Sequence, residues 1–260
     1  IRAVTKIRSV FFFGSLLNLI ARLIDKAGLI KRFDLVFTAG QITSDALRRR
    51  TRVKNINYQD YDNYMSARNN KDRLVTGNYC VFLDEGCTNY PYAKILKIKD
   101  IDPVMFYAAF NRLFDEVERK FNLRVVIAAH PDIKYDRPVF GDRNIYEGKT
   151  CELVRDCQFV IAQSSTSVSF AVFYKKPIIF VYTDEFRAKW KLGFRVMEFH
   201  AKELGLTLYN IDLNNDLPAI DVPSVNFGLY DKLKYRCFTS KESENEFSKD
   251  IVIRTLKSLQ

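Results

Sequence analysis

Three short polar clusters carry the residue types for one kind of chemistry. Asp84-Glu85-Gly86, His130-Pro131 and Ser164-Ser165-Thr166-Ser167 each follow an apolar run that reads as a buried strand. A carboxylate in a dry cleft can serve as general base on a hydroxyl. A histidine at a strand end can donate a proton or a hydrogen bond to a departing phosphate. Hydroxyls at a helix start add donors where free N–H groups and the helix dipole already favour anions. Together they suit a reaction that expels a phosphate-bearing leaving group.

Each cluster also has a structural explanation. One hydroxyl of Ser164–Ser167 is enough to cap a helix, though four in a row lean towards a ligand. His130 could be bonded to a backbone carbonyl, with Pro131 merely stopping the strand; both explanations stand. His200, the other histidine, falls in mid-helix. Asp84 could cap N–H groups in a turn, which is the simpler account of one acidic residue. Glu85 is expected to matter less, because neighbours on a strand point to opposite faces.

Weaker patterns surround these. Gly148-Lys149-Thr150 precedes a short helix and could bring Lys149 towards a phosphate. It lacks P-loop spacing, so a surface lysine before a capping threonine is the plainer account. Asp60-Tyr61-Asp62 and Asp100-Ile101-Asp102 fit a loose Asp-x-Asp pattern, but neither follows an apolar strand. They read as chance matches, and no catalytic metal is expected. The sequence has no zinc-type His/Cys spacing, no Gly-x-Ser-x-Gly elbow and no Gly-x-Gly-x-x-Gly.

The elements that must position the clusters follow from the apolar pattern. Strands are expected at 34–38, Tyr79–Leu83, Leu123–Ala129, Phe159–Ala162, Pro177–Tyr182 and Leu206–Ile211. Asp102-Pro103 marks a helix start, and the helix should run to about Lys120 with Phe106, Phe110, Leu113, Phe114 and Val117 on one face. Further helices are expected at Thr150–Arg155, Ser165–Tyr174, Asp184–Leu204 and 242–258. Residues 55–75 read as a linker and 212–240 as irregular. Apolar strands alternating with helices indicate a parallel sheet covered on both faces. In such sheets ligands bind outside the carboxyl ends of the strands.

Composition narrows the class. The chain has 260 residues, 47% of them hydrophobic, which permits a real core and excludes disorder. Lys and Arg outnumber Asp and Glu by 41 to 31, a charge that favours anionic partners. Arg48-Arg49-Arg50 with Arg52 and Lys54 is the densest basic cluster. It reads as a solvated surface, with peripheral contact to an anionic membrane as the functional alternative. The five cysteines, Cys80, Cys87, Cys151, Cys157 and Cys237, form an odd set with no CxxC pair. They point to a reducing, cytoplasmic setting without disulfides. Val10–Ile24 is too short to span a bilayer, contains Arg22, and has helical spacing suited to a core-facing helix. Interfacial membrane docking is its minority alternative. The chain begins without Met and shows one clear strand before residue 75, so a shortened N-terminal part is expected.

In this order, Asp84-Glu85-Gly86, His130-Pro131 and Ser164-Ser165-Thr166 resemble the motifs of the bacterial sialyltransferases and related surface-polysaccharide glycosyltransferases of the GT-B fold. The stretch from about Tyr79 to Glu185 also looks like proteins of capsule and O-antigen gene clusters. The resemblance implies an α/β architecture: a C-terminal, Rossmann-like parallel-sheet domain and a reduced or truncated N-terminal α/β domain. The corresponding division is a partial acceptor-side domain at 1–70, a nucleotide-sugar domain at 71–240 and a C-terminal helix at 241–260. It further implies a CMP-activated nonulosonic acid donor as substrate, inversion at the anomeric carbon, no divalent metal and no other cofactor. The acceptor would be a glycan or glycolipid. By this resemblance Asp84 would be the general base, with Glu85 its less favoured substitute. His130 would assist the departing CMP phosphate, and Ser164 and Ser165 would bind it. Two alternatives remain open at this stage. One is a UDP-sugar transferase or epimerase on the same fold; the other is a non-catalytic anion- or nucleic-acid-binding protein. No nucleic-acid partner is expected, since the basic residues are not interleaved with an RNA-binding motif.

Overall fold

The computed structural model describes residues 33–41, 51–90, 93–96, 98–135 and 138–259. Val10–Ile24 and Arg48–Arg50 lie outside them. The chain divides into two compact units, residues 1–37 with 43–54 and residues 38–42 with 55–260. Strands β1 (Leu35–Ala39) and β2 (Arg52–Ile56) pair in a two-stranded sheet. The second of these strands, which carries Arg52 and Lys54, has no counterpart among the strands expected from the sequence.

The second unit is built on six parallel strands: β3 (Tyr79–Leu83), β4 (Arg124–Ala128), β5 (Ile145–Tyr146), β6 (Val160–Ala162), β7 (Ile178–Tyr182) and β8 (Leu208–Asn210). Their spatial order is β5-β4-β3-β6-β7-β8. Counted within the sheet, that is the 3-2-1-4-5-6 order of doubly wound nucleotide-binding folds. The strand order reverses between β3 and β6, which opens a crevice at their carboxyl ends. Register brings the polar clusters to that rim. Leu83 is paired with Ala128 on one side and Ala162 on the other. Asp84, Ala129 and Gln163 therefore leave the sheet at one level.

Burial drives the assembly. Every residue of β3 is buried, as expected for a central parallel strand. Nine helices are described: α1 (Gln59–Ala67), α2 (Ala93–Leu96), α3 (Pro103–Phe121), α4 (Thr150–Asp156), α5 (Val168–Phe173), α6 (Asp184–Lys189), α7 (Lys191–Leu204), α8 (Phe227–Leu233) and α9 (Ser248–Lys257). The Asp102 carboxylate caps α3 by accepting from Val104 N at 2.8 Å and Met105 N at 3.3 Å, and Pro103 opens the helix. Phe110 and Phe114 lie with ring centroids 4.8 and 5.2 Å from that of Phe82. Each such buried ring stabilises the fold by about 1.5–3 kcal/mol.

Five expectations are corrected here. Residues 55–75 are not simply a linker, because they contain α1, whose Tyr61 is buried with its ring 5.0 Å from that of Phe173. The helix expected at Asp184–Leu204 is two helices broken at Trp190, where φ is −102° and ψ is 53°. Residues 212–240 hold α8 and a π-helical turn at Lys234–Phe238. The helix expected from Ser165 starts at Val168, and the C-terminal helix starts at Ser248. No helix among the described residues is long and apolar enough to cross a membrane.

Candidate functional site

Asp84 and Glu85 are neighbours whose side chains engage different strands. Asp84 is only 5% exposed. Its Oδ1 accepts from Gly86 N at 3.0 Å, closing a turn. Its Oδ2 accepts from the Tyr135 hydroxyl and, more distantly at 3.5 Å, from His130 N. Gly86 sits at φ +62°, and a Cβ there would lie 2.5 Å from Ile133 Cγ1, so glycine is required. Burial pushes the Asp84 carboxyl above its ordinary value, while the donors from Tyr135, Gly86 and His130 pull it back.

Glu85 faces the β6 side. Ser164 Oγ is 2.8 Å from both of its carboxylate oxygens. The Cys87 thiol lies 3.7 Å from Glu85 Oε2 and 3.7 Å from Gln163 Oε1. Burial pushes Glu85 up to about 7, Asp84's charge adds to the rise, and Ser164 opposes it. Glu85 thus exchanges a proton near neutrality. When ionised it occupies the Ser164 proton; when protonated it can donate to Ser164 Oγ and free that hydroxyl to donate outward.

His130 is half-buried. Its Nδ1 accepts from Asp132 N at 3.2 Å, which leaves Nε2 to carry the proton and act as donor. Its ring meets that of Tyr90 edge-on at 5.7 Å, and Tyr90 in turn meets Trp190 at 5.2 Å.

The hydroxyl cluster differs from the expected helix start. The N–H groups of Val168, Ser169 and Phe170 are taken by the carbonyls of Ser165, Thr166 and Ser167. Ser165 Oγ accepts from Ser167 N at 3.3 Å, and its own proton has no acceptor among the described residues. Thr166 is exposed and meets the Tyr58 hydroxyl. An anion would therefore be met by hydroxyls rather than by these helical N–H groups.

Pro131 and Ser167 line one cavity of about 480 Å³ at the carboxyl ends of β4 and β6. Gly148 and Thr150 border it as well, but Lys149 does not, and its ammonium pairs loosely with Glu152 at 3.5 Å. Of the Asp-x-Asp matches, Asp62 accepts from Ser248 N at 3.0 Å and Asp102 caps α3. Asp60 is different: it lines the cavity and accepts from Ser169 Oγ at 2.6 Å.

Sequence reasoning passed over Tyr135, Cys87, Gly193 and the wall formed by α1. A Cβ on Gly193 would lie 2.7 Å from Ser164 Oγ, so α7 approaches the hydroxyl cluster through a position where any side chain intrudes. The Gly193 of a helix with no turn role was the one signal available.

No protein-family model and no curated protein matches the chain. Among solved structures, spinosyn forosaminyltransferase SpnP is similar at 14% identity over 86% of this chain and 54% of that one, with a TM-score of 0.36. The chain thus spans about half the length of that structure.

Proposed function

We propose that the protein is a glycosyltransferase that moves a sugar from a nucleotide-activated donor to a hydroxyl of a glycan, with a CMP-linked nonulosonic acid as the donor. The observation that supports this reading is the pair Asp84-Glu85 at the end of β3, beside the strand-order reversal, with one carboxylate against the end of β4 and the other against the end of β6. Asp84 touches the His130 backbone on one side, and its neighbour Glu85 touches Ser164 on the other. Ligands of doubly wound sheets bind at this position.

In the proposed reaction the bond from the anomeric carbon to the phosphate oxygen breaks as the acceptor oxygen bonds the opposite face. Asp84 receives the acceptor's proton. His130 Nε2 donates to the departing phosphate, joined by the free hydroxyl of Ser165 and by Ser164 when Glu85 is protonated. Donors aimed at charge that grows on the phosphate stabilise the transition state more than the ground state. No step calls for a divalent metal. The acceptor is a bacterial surface glycan or glycolipid, and the reaction inverts the anomeric centre.

The test is donor-dependent thermal stabilisation. A nucleotide at about 100 times its Kd adds about 2.7 kcal/mol to the folded state. CMP should raise Tm and UDP should not. A rise with UDP alone would favour a UDP-sugar enzyme, and no rise with any nucleotide would remove the transferase assignment.

A further inference from the structure

The 480 Å³ cavity has a chemistry of its own. One wall is a face of α1 and the turn after it, with Asp60, Asn63 and Asn70 at helical spacing; the other is formed by Pro131, Thr150 and Ser167. Asp60 Oδ2 is tied down by Ser169, which fixes the carboxylate and turns its other oxygen loose. That oxygen, the Asn63 amide, the Thr150 hydroxyl and the Ser167 hydroxyl have no hydrogen-bond partner among the described residues. Two carboxylates, Asp60 and Glu152, line the space. No lysine or arginine does, in a chain carrying 41 of them.

Such a lining disfavours phosphate and carboxylate groups. It suits a neutral ring bearing adjacent hydroxyls. A carboxylate oxygen accepts from a hydroxyl, an amide both accepts and donates, and the Phe170 and Pro131 side chains can cover the C–H faces of the ring. We infer that this cavity binds the uncharged vicinal diol of a sugar ring, with Asp60 and Asn63 as its principal hydrogen-bonding partners. Two sources offer that chemistry: a neutral ring of the acceptor glycan, and the ribose of the nucleotide. Assigning the diol to a transferase substrate rests on the function proposed above, whereas the binding itself does not.

Calorimetric titration of the full chain tests this with four probes: CMP, 2′,3′-dideoxy-CMP, methyl β-galactoside and methyl β-glucoside. The variants are Asp60→Asn and Asn63→Ala; Asn63 is exposed, so its truncation spares the fold. Each variant should weaken the diol-bearing probe roughly tenfold, the equivalent of one good hydrogen bond. If the diol is ribose, dideoxy-CMP should bind the wild type at least as weakly as CMP binds Asp60→Asn. If it belongs to the acceptor, CMP and dideoxy-CMP should bind alike and only glycoside binding should fall. Unchanged affinities in both variants, or no binding of any probe by the wild type, overturn the inference. Glycoside binding that depends on Asp60 in a protein indifferent to CMP would leave it standing while removing the transferase assignment.

Discussion

Ser164 Oγ stands 2.8 Å from both oxygens of the buried Glu85 carboxylate, at the point where the strand order of the sheet reverses. The ionised carboxylate engages the single hydroxyl proton of Ser164 and leaves none to point outward. Whether Ser164 can reach a ligand phosphate therefore depends on whether Glu85 carries a proton. Ionised Glu85 also repels the phosphate, so nucleotide binding should take up a proton and weaken as pH rises through about 7. Titration calorimetry in buffers of different ionisation enthalpy would detect that uptake, and a pH-independent affinity would contradict it.

The same group makes stability depend on pH. The folded-state value of about 7 lies above the ordinary 4.5. The folded protein therefore holds a proton that the unfolded chain releases between those values. Glu85's contribution is fully present below about 4.5 and is lost as pH rises through about 7. The loss amounts to about 3 kcal/mol by pH 8. Glu85→Gln cannot titrate, so its stability relative to wild type should grow by that order between pH 5 and pH 8. Denaturant melts at the two pH values would read this, and an equal difference at both would refute it.

Tyr135→Phe removes a donor from a buried carboxylate. Stability should fall by about 1–3 kcal/mol. Because the Tyr135 hydroxyl holds Asp84 down, its loss should raise the Asp84 pKa further. A base must be ionised to act, so the acidic limb of the rate profile should move to higher pH. A purely structural tyrosine would lower Tm and leave that limb in place.

Gly193→Ala places a methyl group 2.7 Å from Ser164 Oγ, well inside van der Waals contact. Ser164 must rotate away from Glu85 or α7 must shift. Nucleotide affinity should drop roughly tenfold with a Tm change of only a few degrees. Wild-type affinity in this variant would mean that Ser164 plays no part in binding.

Much of the sheet was legible because its strands are buried on both faces and read as continuous apolar runs. The Asp102-Pro103 start of α3 was legible for a local reason: the cap and the first-turn proline are adjacent in sequence. Helix α1 was not. Its composition is polar, and what holds it is the contact of Tyr61 with Phe173, more than a hundred residues away. The break at Trp190 carries no proline, and the strand order cannot be read from apolar runs at all. At the site, the sequence singled out Asp84 and ranked Glu85 below it on the argument that strand neighbours face apart. They do face apart, but Glu85 faces Ser164. Tyr135 could not have been found, since nothing local links it to a carboxylate 51 positions earlier.

Asp84→Asn should lower kcat by at least about a hundredfold, the range of a lost general base, while CMP binding stays nearly intact. His130→Ala should impair both. Normal turnover by Asp84→Asn would remove the base assignment.

A crystal structure of the protein with CMP bound tests the central claim most directly. The account predicts one phosphate within hydrogen-bond distance, about 3 Å, of both His130 Nε2 and Ser165 Oγ, at the rim between β3 and β6. A nucleotide seated elsewhere, or a phosphate that touches neither residue, would contradict it.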